Sequence, residues 1–178
     1  MSRHVILTLT GADRIGIVEE LTRILLERDG NVETSRMARL GGEFAVLMLV
    51  SLPEARQEDL SQGLEGLASL GYKLTVTPTE RPYAEVHPGW QAFRIEVEGA
   101  DDEGIVHRVA RHLSSQGINI ESMETETTSA PFGGAPLFNM SASVVVPPEL
   151  AETSWSDGLF AIGNEMNLDV RVTPEPED

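Results

Sequence analysis

The segment Gly11-Ala12-Asp13-Arg14-Ile15-Gly16-Ile17-Val18 returns 88 residues later as Gly99-Ala100-Asp101-Asp102-Glu103-Gly104-Ile105-Val106. The same offset lays Asn31-Val32-Glu33 on Asn119-Ile120-Glu121. Across residues 11–33, ten of twenty-three positions are identical to their partners, and no gap is needed. A chain of 178 residues built this way must fold as one small unit used twice.

The flanking patterns agree. Val5, Leu7 and Leu9 alternate with polar residues, as do Phe93, Ile95 and Val97, and each set reads as a half-buried strand. Helical spacing follows: Ile17, Leu21 and Ile24 form one stripe, with Val18 and Leu25 beside it, and Ile105, Val109 and Leu113, with Val106, form its copy. Asp13 and Asp101 precede these stripes where a helix N-cap is expected. Asp29-Gly30 and Gly117 supply the helix stops. An extended run over 31–40 ends at Gly41-Gly42, a hairpin signal, and 44–50 is apolar on both faces, as in an interior strand. Leu60, Leu64 and Leu67 predict a second helix; Leu74 and Val76 predict a last strand. In the second copy the corresponding pieces are 120–126, 137–146, a helix carrying Trp155, Leu159, Ile162 and Met166, and 168–172. Gly158 and Gly163 weaken that helix.

Each copy is therefore βαββαβ. The predicted class is α+β: two ferredoxin-like units in tandem, each an antiparallel sheet with both helices on one face. The units are expected at 1–80 and 91–174, with a Pro-containing linker at 81–90 and an acidic tail at 175–178. The insertion at 128–136 is a long hairpin or a lid. The open sheet faces and edges predict pairing of the copies or of two chains, hence a homo-oligomer.

Composition excludes several functions. The net charge of −16 repels phosphate backbones and argues against direct nucleic-acid binding. There is no cysteine for disulfide or thiol chemistry. No apolar run approaches the roughly 18 residues of a membrane span, and no secretory leader pattern is evident, so a cytoplasmic protein is expected. No nucleophile elbow, P-loop or dinucleotide fingerprint occurs. His107 and His112 lie about 140° apart on a helix and share no face. No catalytic group, metal site or cofactor is predicted, and the chain reads as a non-enzyme.

The repeated turn is the best candidate site. A helix N-terminus offers unpaired N–H groups and partial positive charge, which suits a carboxylate. Gly16 and Gly104 fall where glycine is costly to a helix. Close approach of a ligand would explain them; so would backbone packed on backbone. Asn31 and Asn119 could bond both ends of an amino acid, or merely satisfy turn backbone.

These residues, with Thr34-Ser35-Arg36-Met37 and Leu40-Gly41-Gly42-Glu43-Phe44, resemble an ACT domain, and more narrowly the two-ACT transcriptional repressors of the glycine cleavage system. The resemblance is strong across residues 5–50 and weaker after 90. It implies a small amino acid, with glycine the leading case, bound where ACT units pair, and regulation through a protein partner. Carried over, Gly11, Ala12, Asp13, Ile15, Gly16, Ile17 and Asn31 would line one site. Gly99, Asp101, Glu103, Gly104, Ile105 and Asn119 would line its counterpart. Asp102 and Glu103 stand where the first copy has Arg14 and Ile15, and their charge is expected to disfavour a carboxylate. A ligand-independent subunit docking on an enzyme or transcription factor is the competing reading.

Overall fold

A computed structural model describes residues 2–80, 87–129 and 134–175. The chain divides into two compact units, Met1–Ala84 and Glu85–Asp178. The first runs β1 (Ser2–Ala12), α1 (Ile17–Leu26), β2 (Asn31–Leu40), β3 (Glu43–Pro53), a single 3-10 turn (Glu54–Arg56), α2 (Gln57–Ser69) and β4 (Lys73–Thr79). The second runs β5 (Gln91–Ala100), α3 (Ile105–Ser115), β6 (Asn119–Ser129), β7 (Pro136–Val146), a short α4 (Pro148–Ala151), α5 (Asp157–Met166) and β8 (Leu168–Pro174). The sheet orders are β2-β3-β1-β4 and β6-β7-β5-β8, every pairing antiparallel. The βαββαβ repeat is thus realised twice.

Alternation in β1 puts Val5, Leu7 and Leu9 on the covered face, all fully buried. They meet Ile17, Leu21, Ile24 and Leu25 of α1 and Leu60, Leu64 and Leu67 of α2 in one aliphatic core. The second core repeats this with Ile95 and Val97, the α3 stripe Ile105, Val109 and Leu113, and Leu159 of α5. Burial of each such side chain stabilises the fold by about 1.5–3 kcal/mol. Arg28 ties α1 to α2, donating from Nε to the Asp59 carbonyl (2.7 Å) and from Nη1 to the Ile24 carbonyl (2.9 Å). Among the described residues no helix is long and apolar enough to cross a membrane.

The structure changes several local expectations. Asp13 and Asp101 are not N-caps: that position belongs to Gly16 and Gly104, and no side chain caps either helix. Of the expected Asp29-Gly30 stop, it is Asp29 that takes the left-handed conformation (φ 55°). Its partner 88 residues on is Gly117 (φ 72°), so one backbone turn is met by two different residues. Trp155 precedes α5 instead of lying in it, yet is buried edge-on against Phe93, ring centroids 5.3 Å apart.

The strands of the β6–β7 hairpin reach Ser129 and Pro136, so Thr128, Ser129 and Pro136 of the expected insertion are paired strand residues. Residues 130–133 lie outside the described residues, as do 81–86 of the expected linker and 176–178 of the tail. Glu175 is anchored: its N–H donates to the Ala92 carbonyl (2.9 Å) and its carboxylate meets Arg94 (2.6 Å) and Ser143 (2.7 Å).

The glycines of α5 have a packing reason. A Cβ at Gly163 would lie 2.8 Å from the Leu168 carbonyl oxygen and from Val170 Cγ2, and one at Gly158 would strike the His112 ring. Their absence of side chain lets the helix settle on β8 and α3. Gly66 of α2 meets nothing within 4 Å. Gly163→Ala should therefore destabilise the protein by about 1–3 kcal/mol through overpacking. Gly66→Ala should stabilise it by about 0.5–1 kcal/mol through helix propensity. Urea denaturation followed by circular dichroism distinguishes the two signs.

Candidate functional site

The turn after β1 is shaped by glycine twice over. At Gly11, near the end of the strand, a Cβ would lie 2.5 Å from Tyr72 Cδ1, because the Tyr72 ring packs against it. At Gly16 the backbone reverses with φ 88° and ψ −1°, and α1 starts at the next residue. Such a φ is costly for any residue bearing a Cβ. Nothing lies within 4 Å of a Cβ built there, so neither packed backbone nor packed side chain explains this glycine. Of the two explanations open from sequence, backbone packing is overturned; the left-handed conformation itself demands glycine.

The turn is stitched to the rest of the unit. The Asp13 N–H donates to the Gly42 carbonyl in the β2–β3 hairpin (2.8 Å), and the Asp13 carboxylate lies 3.8 Å from Arg39 Nε. Tyr72 donates its hydroxyl to the Ala12 carbonyl (2.8 Å). Arg14 lies over the Tyr72 ring, 5.7 Å from its centroid, and pairs with Glu20, whose hydrogen bond raises the guanidinium pKa above its usual value. Ile17 sends its side chain into the core and offers the turn only backbone. Ile15 is fully exposed (102%).

The second copy reproduces the backbone and alters the dressing. Gly104 takes φ 89° and ψ 4°, and Asp101 N–H donates to the Pro136 carbonyl (2.9 Å). Gly99 is covered by Leu168 and the Asn167 carbonyl instead of a tyrosine, and Ile105 is buried. The Glu103 N–H donates to the Asp102 carboxylate at 2.8 Å, so one amide of this turn is already satisfied by an anion of its own chain.

Asn31 and Asn119 are not beside the turns of their own units. Asn31 is opposite Ser51, and Ser51 is opposite His4, whereas the turn leaves β1 at Ala12. Eight strand residues at about 3.3 Å each separate the two ends by about 26 Å. Asn119 is likewise in register with Val145 and Ala92, far from Ala100. Each amide instead donates to the glutamate two residues on: Asn31 to Glu33 (3.4 Å) and Asn119 to Glu121. The resemblance groups turn and Asn in one site, which within a unit would require α1 to return the chain to the turn end of the sheet. It does return, but to the opposite end.

Sequence reasoning missed Tyr72, Arg39 and the role of Arg14. Tyr72 is 60 residues from Ala12, and no local pattern marks such a contact. Among the described residues no group of three His, Asp or Glu side chains is placed to hold a metal ion.

Two tandem βαββαβ units, each opening its first helix on an uncapped N-terminus after a left-handed glycine, define a ferredoxin-like double-domain protein with a recurrent strand-to-helix turn. The ACT domain model matches residues 3–77. A UPF0237 protein of Methanopyrus kandleri is 41% identical over 78 residues, 43% of this chain and 82% of that protein. The glycine cleavage system transcriptional repressor of Escherichia coli K12 is 26% identical over 165 residues, 92% of this chain and 86% of that protein. The crystal structure of an unknown protein from Galdieria sulphuraria superposes with a TM-score of 0.88 at 34% identity, covering 99% of this chain and 100% of that one. The chain belongs to the ACT-domain family.

Because the φ at Gly16 rather than its surroundings requires glycine, Gly16→Ala should cost about 1–2 kcal/mol. Gly16→Asn should cost less, since asparagine tolerates the left-handed region. Equilibrium denaturation of the two variants checks the order.

Proposed function

We propose that this chain is a non-enzymatic, amino-acid-responsive regulator. Its ligand, a small amino acid with glycine the first candidate, binds where the 11–17 turn of one chain meets Asn31 of a second chain. The uncapped α1 N-terminus behind Gly16 carries this reading: the amides and the dipole there favour a carboxylate, and no side chain of the unit fills that role. The separation of Asn31 from its own turn supports a shared site, because one amino acid is far too short to span about 26 Å within a unit. The first-copy turn is the better site, since in the second copy Asp102 already occupies an amide and adds repulsive charge.

Action on transcription through a protein partner, within the cytoplasm, is supported by the likeness to the Escherichia coli glycine cleavage repressor over 92% of this chain. The net charge of −16 argues in the same direction, against a direct grip on DNA. A second reading, docking without a ligand, is favoured by one observation. Ile15, Leu40 and Leu70, 102%, 76% and 65% exposed, all lie at the turn end of the first unit. Exposed apolar groups gathered at one end suit a covered surface.

The test is thermal denaturation of the full chain against a panel of amino acids. A ligand at a hundred times its dissociation constant adds roughly 2.7 kcal/mol. Glycine or a close relative should raise the Tm by several degrees, and Asn31→Ala should remove the shift while leaving the unliganded Tm within a degree or two. If no amino acid shifts the transition at millimolar concentration, sensing fails for this chain and ligand-free docking takes its place.

A further inference from the structure

The two copies differ most sharply along the outer face of their first helices. On α1, Arg23 is held between two carboxylates one turn away on either side, Glu19 (3.7 Å) and Glu27 (2.8 Å). Its repeat partner, 88 residues on, is Arg111 of α3. The residues equivalent to Glu19, Glu20 and Glu27 there are His107, Arg108 and Ser115. Every acid that faced the arginine has gone, and a second arginine has come in. Among the described residues Arg111 has no ion-pair or hydrogen-bond partner. In a chain with 29 acidic residues and 13 basic ones, α3 carries two arginines, two histidines and no acid.

These changes surround a hollow. Arg108, Arg111, His112, Ser115 and Ile162 of α5 line a shallow cavity of about 380 Å³ between the two helices. Arg108 and Arg111 are three residues apart, so their guanidinium groups extend from adjacent positions on one helix face. His112 is committed by its Nε2 to the Trp155 carbonyl (2.9 Å), and Ser115 Oγ donates to the His112 carbonyl (2.7 Å). Arg111 is therefore the unpaired donor beside Arg108. The acid that reaches them is Glu165 of α5, paired with Arg108, with the two side chains 49% and 70% exposed. Exposed pairs of this kind are worth roughly 0–1 kcal/mol, so a better-matched anion can displace it.

We propose that the α3–α5 cavity is an anion site for a phosphate-bearing small molecule, held by forked hydrogen bonds from Arg108 and Arg111. Guanidinium forks match the oxygens of a phosphate, and two forks carried on one helix face can engage more oxygens than a single carboxylate offers. The long-range field of an acidic chain repels such a ligand, so binding needs a local excess of basic groups, which the acid-free helix α3 supplies. The site lies on the helix layer of the second unit and does not involve the strand-to-helix turns.

The experiment is titration of the full chain with inorganic phosphate at constant ionic strength, set with sodium chloride, following backbone amide and arginine side-chain signals by NMR. Saturable shifts confined to 108–115 and 162–165 of α5 are expected in the millimolar range. Arg111→Gln should weaken binding at least tenfold, and so should His107→Glu with Ser115→Glu, which restores the first-copy clamp on an exposed face. Arg23→Gln should leave binding unchanged. Acetate at the same concentrations should produce no saturable shift. Shifts that do not saturate, that survive Arg111→Gln in a variant with an intact spectrum, that centre on another segment, or that acetate reproduces would each overturn the assignment.

Discussion

Both units depend on a backbone conformation that a side chain resists. Gly16 and Gly104, with φ near 90°, end the run out of the first strand and set the direction in which the first helix leaves. If that turn opened differently, α1 or α3 would not lay its stripe on β1 and β3 or on β5 and β7, and the aliphatic cores could not close. The same conformation leaves the helix start without a side-chain cap. A structural requirement and a binding opportunity thus share one residue: the chain reverses on glycine, and the exposed amides behind it are what an anion would meet.

Around that shared backbone the copies have diverged in chemistry. The first keeps Tyr72 under Gly11, Arg14 across the tyrosine and apolar groups at the turn end. The second fills the space at Gly99 with Leu168, bonds its own amide with Asp102, and strips acid from α3. The surfaces of sheet and helix follow the same division. On the sheet face away from the helices, β1 and β3 of the first unit carry Ile6 and the exposed Leu47, whereas the equivalent positions of β5 and β7 hold Arg94 and Ser141. Duplication preserved what folds and released what faces solvent, which is why the units need not share a ligand.

Much of this was legible in the sequence because its causes are local. Strand alternation in Val5, Leu7 and Leu9, the helical stripe of Ile17, Leu21 and Ile24, and the Gly41-Gly42 hairpin each depend on residues a few positions apart. The class and topology of the fold follow from their order. Glycine in the β1–α1 turn was also visible, although the reason for it was not: periodicity places a residue near a helix start without revealing whether its φ is positive. The assignment of Asp13 and Asp101 as caps failed there, because the helix begins three residues later than an aspartate cap would require.

The sequence by itself determined the repeat, the two α+β units, their aliphatic cores and the turn as the place to look. Only the tertiary structure decided which residues share a site. It put Asn31 at the far end of the sheet from the turn, brought Tyr72 under a glycine 61 positions earlier, fastened Glu175 to β5, and gathered Arg108, Arg111 and Ile162 around one hollow. The physical reason is register: hydrophobic pattern tells each strand which face to bury, but the end of the sheet at which a polar residue emerges is set by how far each strand runs before it turns.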